Sequence, residues 1–286
     1  MRWTHLLPAL AMVAAVPVAA GTQNPVFSSR VEAVRVDVLV TDRGQPLRGL
    51  GAGDFEVFDN GVRQDVNIVS FEQLPLHVVL TLDMSDSVVG QRLDHLRAAG
   101  RAVLGGLTKG DQAALVSFSQ PVTLASDLTT DIARVCEALD RDQPVGNTSL
   151  VDATYAGMMI GESEIGRALV IVFSDGLDTA SWLEPAAVLD IAKRSGAVVY
   201  GVSTGRRASA RFLRDLTDQT GGRLFELEST KDLSAAFLQV LEEFRQRYLL
   251  SYSPAGVPKD GWHELTVRVK GRRATVKARP GYLAGR

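Results

Sequence analysis

Three short apolar segments, separated by stretches of helical length, constrain the fold of this 286-residue chain most strongly. They are residues 76–82, 168–173 and 198–202. A nearly continuous apolar run of this kind is typical of a strand covered on both faces of a sheet. Strands that alternate with helices form βαβ units, whose crossovers place the strands parallel to one another. The pattern therefore predicts an α/β domain with a doubly wound, mostly parallel sheet over residues 76–246.

The segments on either side of this domain predict strands alone. In residues 27–73, valines at alternate positions from Val34 to Val40 show the period of a half-buried strand, and Asn60–Gly61 is a strong hairpin signal. Residues 248–283 also read as short strands. Since neither segment has enough strands for its own core, we expect the two to pack together as one small β-sandwich. The α/β domain would then be an insertion in that sandwich.

The first 20 residues have the pattern of a secretory signal peptide. Arg2 precedes an apolar run from Leu6 to Ala20, which ends in the small residues Val18-Ala19-Ala20. The run is short for a membrane span of about 20 residues, although an uncleaved anchor is the alternative. No later stretch is long and apolar enough to cross a membrane. We therefore expect an exported protein, either periplasmic or secreted.

Composition excludes several other classes of protein. The chain has 31 Lys and Arg against 33 Asp and Glu, so its formal net charge of -2 provides no basic surface for nucleic acid. A single cysteine, Cys136, cannot form an internal disulfide or a Cys-rich zinc site. Its place on the apolar face of a predicted helix favours a buried, inert thiol.

Polar segments follow the buried strands or precede a helix, where a ligand crevice is expected. They are residues 83–87, 146–149 and 174–176. The carboxyl ends of parallel strands lie at one edge of the sheet, and ligands bind there. The oxygen donors in these segments suit a hard divalent cation, Mg²⁺ or Mn²⁺, and no Cys or His favours a softer one. The candidate ligands are Asp83, Ser85, Ser87, Thr148 and Asp175.

These residues resemble the metal-ion-dependent adhesion site (MIDAS) of von Willebrand factor type A (vWA) domains. The Asp-x-Ser-x-Ser motif at 83–87, the later Thr148 and the Asp-Gly pair at 175–176 occur in the order of that family. The whole chain looks similar to a bacterial, secreted vWA-related group. The resemblance implies a MIDAS metal and a protein partner that presents a Glu or Asp carboxylate to it. Asp86 and Asp178 add acid around the site, where they either support the ligands or are simply exposed.

Other interpretations of the same residues remain open at this stage. Ser87 and Thr148 could cap the helices that follow them, and Asp175–Gly176 could be only a turn. Trp182 could lie at the rim of the site or pack inside. The protein could also be a structural component of an envelope complex in which the metal only stabilises the fold. An enzyme is not expected, because the chain has no Gly-x-Ser-x-Gly elbow and no phosphate-binding loop. The sequence does not indicate an oligomeric state.

Overall fold

The computed structural model describes residues 33–69, 74–162, 166–204 and 207–285. The predicted signal peptide at 1–20 lies outside these ranges. The chain runs through the following strands and helices: β1 (Val34–Asp42), β2 (Gln45–Pro46), β3 (Phe55–Asp59), β4 (Val62–Gln64), β5 (Asn67–Val69), β6 (Leu76–Asp83), α1 (Gln91–Gly105), β7 (Gln112–Phe118), β8 (Val122–Thr129), α2 (Ile132–Arg141), α3 (Leu150–Gly161), β9 (Arg167–Ser174), α4 (Pro185–Ala192), β10 (Val198–Ser203), α5 (Arg207–Thr220), β11 (Leu224–Glu226), α6 (Leu233–Arg245), β12 (Tyr248–Tyr252), β13 (Gly261–Val269), β14 (Thr275–Lys277) and β15 (Gly281–Ala284).

The central sheet has the strand order β11-β10-β9-β6-β7-β8 and is parallel except at the β7–β8 edge. Every residue of β6, β9 and β10 is buried, because helices cover both faces. One apolar core lies between the sheet and α1, α2 and α6, and a second lies between the sheet and α3, α4 and α5. The predicted doubly wound α/β fold is confirmed.

The strands before and after the α/β region pair with one another. One flanking sheet has the order β14-β1-β12-β5, with β2 added to β1, and the other has the order β15-β13-β3-β4. An apolar core fills the space between them, with Val36, Phe55, Leu250 and Tyr252 among its buried members. The α/β sheet is therefore an insertion in a flanking β-sandwich, as the fold prediction has it.

Local sequence features explain where individual turns and helices form. The predicted hairpin at Asn60–Gly61 joins β3 to β4, and both residues have positive φ, 46° and 78°, as a two-residue hairpin turn requires. Pro185 is at the start of α4, where its missing N–H costs no hydrogen bond. Among the described residues, no helix has the length and apolarity that a bilayer span needs.

Candidate metal centre

The candidate site lies at the carboxyl edge of the central sheet, where β6 and β9 end next to one another. Asp83 is the last residue of β6, and Asp175 follows the last residue of β9. Because these strands are parallel neighbours, residues 91 positions apart in the chain come within hydrogen-bonding distance: the Ser174 hydroxyl donates to Asp83 Oδ2 at 2.7 Å.

Asp83 is a buried carboxylate that is held by neutral donors. Its Oδ1 accepts the backbone N–H of Ser85 at 3.0 Å, and the whole residue has no exposed surface. Burial raises the pKa of Asp83 to about 6; the nearby Asp175 adds to the rise, and the hydrogen bonds from Ser85 and Ser174 oppose it. No Lys, Arg or His in the described ranges forms an ion pair with it. A buried carboxylate without a counter-ion is a place where a cation is favoured.

A chain of hydroxyls connects the first loop, residues 84–90 between β6 and α1, to Asp175. The Ser85 and Ser87 hydroxyl oxygens are 3.0 Å apart, and the Ser87 hydroxyl donates to Asp175 Oδ1 at 2.6 Å. Arg92, from the first turn of α1, donates to Asp175 Oδ2 at 3.3 Å and to the Ser87 carbonyl at 3.1 Å. The structure thus brings together Ser85, Ser87 and Asp175 and adds Arg92, which the sequence analysis missed.

Thr148 lies in the second loop, residues 142–149 between α2 and α3. Hydrogen bonds join this loop to the third loop, residues 175–184 between β9 and α4. Its carbonyl accepts the backbone N–H groups of Thr179 and Ala180 at 2.9 and 3.1 Å, and its own N–H donates to the Thr179 hydroxyl at 3.2 Å. A Cβ at Gly176 would lie 3.3 Å from the Thr148 hydroxyl oxygen. A glycine after Asp175 therefore lets the third loop approach the Thr148 hydroxyl closely.

Asp86 and Asp178 bind backbone N–H groups of the loops. Asp86 Oδ1 accepts the N–H of Gly146 at 2.9 Å, and the Asp86 N–H donates to the Gly146 carbonyl at 3.0 Å, so that the first loop is joined to the second. Asp178 Oδ2 accepts the N–H of Val151 in the first turn of α3 at 2.8 Å and the Ser181 hydroxyl at 2.5 Å. Both acids therefore position the loops that carry the candidate ligands.

The alternative interpretations of the ligand residues can be compared with these contacts. The N-cap residues of α1 and α3 are Gly90 and Ser149, so Ser87 and Thr148 are not the helix caps. Asp175 accepts hydrogen bonds from two residues distant in the chain, which a simple turn does not need. Trp182, whose position the sequence left open, is 94% exposed.

The donor set fits a hard divalent cation. It consists of carboxylate and hydroxyl oxygens on three loops, and such ions select oxygen ligands. No group of three His, Cys, Asp or Glu side chains suited to a metal occurs within the described ranges. A metal at this edge would therefore depend on hydroxyl ligands in addition to the two carboxylates, as the sequence predicts.

Three other side chains that could bind a metal or react as a nucleophile, all within the described residues, have different surroundings. His77 is buried in β6, and burial lowers its pKa. His263 pairs with Asp59 inside the sandwich, with 2.7 Å between Nδ1 and Oδ1. Cys136 is half-buried in α2, where burial raises the pKa of its thiol, which keeps it in the unreactive protonated form.

This α/β fold, with its polar loops at the carboxyl edge of the sheet, defines a known class of protein domain. A family model described as "von Willebrand factor type A domain" matches residues 77–239, and the chain belongs to this family.

Among curated proteins, inter-alpha-trypsin inhibitor heavy chain H2 of Mus musculus is 24% identical over 200 residues, which cover 64% of this chain and 21% of that protein. The Homo sapiens protein of the same name is 21% identical over the same length. The chain thus spans about a fifth of the length of these relatives.

Solved structures share the fold at low sequence identity. A von Willebrand factor type A protein from Catenulispora acidiphila has a TM-score of 0.54 at 12% identity, over 87% of this chain and 73% of that chain. Proximal thread matrix protein 1 from the mussel byssus, solved with a zinc-occupied MIDAS motif, has a TM-score of 0.54 at 17% identity, over 64% and 49%. The PilB minor pilin from Streptococcus sanguinis has a TM-score of 0.52 at 13% identity, over 61% and 62%.

Proposed function

We propose that this vWA-domain protein is exported and binds a protein partner through one divalent cation, Mg²⁺ or Mn²⁺. The residues that would hold the cation are Asp83, Ser85, Ser87, Thr148 and Asp175. The observation that carries the proposal is the buried Asp83 carboxylate, which accepts hydrogen bonds from neutral donors only. Ser85 and Ser87 connect it to the Asp175 carboxylate through hydrogen bonds. Export is inferred from the signal-peptide pattern of residues 1–20.

The cation would supply an electrophilic centre for a carboxylate of the partner. The two carboxylates of this donor set formally balance the charge of a divalent ion, and Arg92 beside Asp175 adds one positive charge. An acidic side chain is therefore the favoured ligand for a remaining coordination position. Binding rather than catalysis is proposed, since the hydroxyls and carboxylates at this edge are assigned to the cation and the sequence has no Gly-x-Ser-x-Gly elbow.

The test is a thermal melt of the wild type and of Asp83→Asn, each with EDTA and with millimolar Mg²⁺ or Mn²⁺. The ligands come from distant parts of the chain, so only the folded state can bind the metal. At 100 times Kd the cation should add about 2.7 kcal/mol to the free energy of unfolding, which for a domain of this size is a rise of roughly 5–10 °C.

Asp83→Asn should abolish this rise and leave the EDTA midpoint equal or higher, because it removes a buried charge without changing the size of the side chain. Asp190→Ala, which removes an exposed acid on α4, should keep the full rise. Equal metal-induced shifts in wild type and Asp83→Asn, or no shift in wild type, would contradict the assignment.

A further inference from the structure

Each loop that carries a candidate ligand also carries at least one exposed apolar side chain. Trp182 is 94% exposed, Val145 60%, Val89 56% and Leu177 42%. Each is close in sequence to a ligand loop: Val89 follows Ser87, Val145 precedes Thr148, and Leu177 and Trp182 follow Asp175. These four residues are called the apolar rim below. Exposed apolar residues clustered around a polar centre are a feature of interaction sites rather than of ordinary surface.

The backbone that carries Trp182 is held rigidly although its side chain is in solvent. The N–H groups of Trp182 and Leu183 donate to the two carboxylate oxygens of Asp152, each at 2.9 Å. The preceding Ser181 donates its N–H and its hydroxyl to Asp178. The indole is therefore presented on an ordered loop, and a partner would lose little conformational entropy from that loop on binding.

Val145 is presented in a similar way by the second loop. Its N–H donates to the carbonyl of Met84, within the first motif, at 2.8 Å. This contact places an exposed valine beside the Asp83–Ser87 loop. Val89 lies at the other end of the same motif, just before the start of α1. The apolar rim therefore includes residues from every loop that carries a candidate ligand.

The charges at the site select the polar part of a partner. Arg92, whose side chain is 57% exposed, adds positive charge to that of the proposed cation, so an acid is attracted to the centre. A lone acid would leave the surrounding apolar surface in water. An acid with a bulky apolar neighbour would use both features, and an exposed Trp is the residue type that most often contributes strongly to such contacts.

We propose that the apolar rim binds an extended segment of a partner protein in which the metal-bound carboxylate is next to a bulky apolar side chain, with Trp182 as the aromatic anchor. This inference rests on the proposed function. A membrane surface is the less favoured occupant, because Asp86 and Glu184, which are exposed on the same loops, would be repelled by the many charges of an anionic lipid surface, whereas a peptide segment needs to present only one carboxylate, directly to the cation.

The experiment selects random dodecapeptides displayed on phage against the immobilised full chain in Mg²⁺, with EDTA as the parallel arm. The same selection is made against Trp182→Ala, Asp83→Asn and Leu238→Ala; Leu238 is an exposed apolar residue on α6 and gives the matched control. Peptides selected on the wild type should contain Glu or Asp within two positions of an aromatic or branched apolar residue. Their affinity should fall about tenfold or more for Trp182→Ala and stay unchanged for Leu238→Ala.

The outcomes separate this inference from the function on which it rests. If selected peptides are acidic without apolar neighbours and bind Trp182→Ala as well as wild type, the apolar rim has no role, while the metal site stands. If the selected peptides bind equally in EDTA or to Asp83→Asn, the proposed function fails. No selection above background, or binding of phosphatidylcholine–phosphatidylglycerol vesicles that Trp182→Ala abolishes, would also overturn the segment-binding proposal.

Discussion

Asp83 and Asp175 differ in their surroundings, and the difference gives them different parts in the proposed site. Asp83 is fully buried and accepts only neutral hydrogen bonds. Asp175 shares its two oxygens between the Ser87 hydroxyl and the Arg92 guanidinium. The negative charge of Asp175 is thus already partly compensated by a side chain, whereas that of Asp83 is offset only by neutral hydrogen-bond donors.

Arg92 should weaken cation binding, since it places a like charge beside the proposed ion. Arg92→Gln is expected to tighten Mn²⁺ binding by up to about tenfold, because a unit charge roughly 6 Å from a divalent ion in a water-like medium is worth about 1.4 kcal/mol. Isothermal titration with Mn²⁺ measures this change. Arg101→Gln, which removes another exposed arginine of α1 that pairs with Asp140, is the control and should have no effect.

Weaker Mn²⁺ binding by Arg92→Gln would contradict this expectation. It would mean that the main role of Arg92 is to orient Asp175 through their contact.

At the scale of elements, the third loop and the first turn of α3 depend on each other. Asp178 accepts the N–H of Val151, and Asp152 accepts the N–H groups of Trp182 and Leu183. The loop therefore supplies an acceptor to the helix, and the helix supplies acceptors to the loop. This reciprocal arrangement fixes Thr148, just before the helix, relative to Asp175, at the start of the loop.

Asp178→Ala should lower stability without abolishing metal binding. Losing an acceptor for a helix N-terminal N–H costs about 1 kcal/mol, which is roughly 2–4 °C in the midpoint for a domain of this size. We expect this decrease both with EDTA and with Mg²⁺, so that the metal-induced shift is retained. The measurement is the set of melts described above. Loss of the metal-induced shift would instead show that Asp178 acts directly on the cation.

The sequence predicts elements well where one local pattern decides them. The runs at 76–82 and 168–173 appear as β6 and β9, because residues buried on both faces must be apolar. For β8, the sequence indicates a strand only at residues 122–124, whereas the strand runs to Thr129, since it is a partly exposed edge strand with little apolar signal. β15 is not predicted, because Gly281–Ala284 is a strand only through its pairing with β13.

The residues of the candidate site also divide into those that a local sequence pattern indicates and those that only the folded structure reveals. Asp83, Ser85 and Ser87 can be found from the sequence because a motif follows a buried strand. Arg92 cannot, because its contact with Asp175 joins residues 83 positions apart and no local pattern indicates it. Ser174 has a weaker signal, as the polar last residue of an otherwise apolar strand, and only the pairing of β6 with β9 reveals that it bonds Asp83.

At the scale of the whole molecule, the sandwich and the α/β sheet are joined by buried polar contacts. Arg167, at the start of β9, forms an ion pair with Asp37 of β1; its Nε donates to Asp37 Oδ1 at 3.0 Å. Arg247, fully buried between α6 and β12, donates to the Tyr200 hydroxyl at 3.0 Å and to the Gly221 carbonyl at 2.6 Å. The described residues accordingly form one compact unit.

The ion pair between Asp37 and Arg167 should therefore matter for the stability of both parts. Asp37→Ala removes a carboxylate that pairs with the Arg167 side chain, which is 3% exposed, and breaking a buried pair costs about 3–5 kcal/mol. Chemical denaturation should show one transition at lower denaturant, by circular dichroism and by tryptophan fluorescence alike. Asp37→Ala/Arg167→Met should recover part of the loss, because the buried guanidinium is then removed together with the carboxylate. Asp42→Ala, at the exposed end of the same strand, should change the free energy of unfolding by less than about 0.5 kcal/mol. Separate transitions for the two probes, or a double variant less stable than Asp37→Ala, would show that the pair does not couple the sandwich to the sheet.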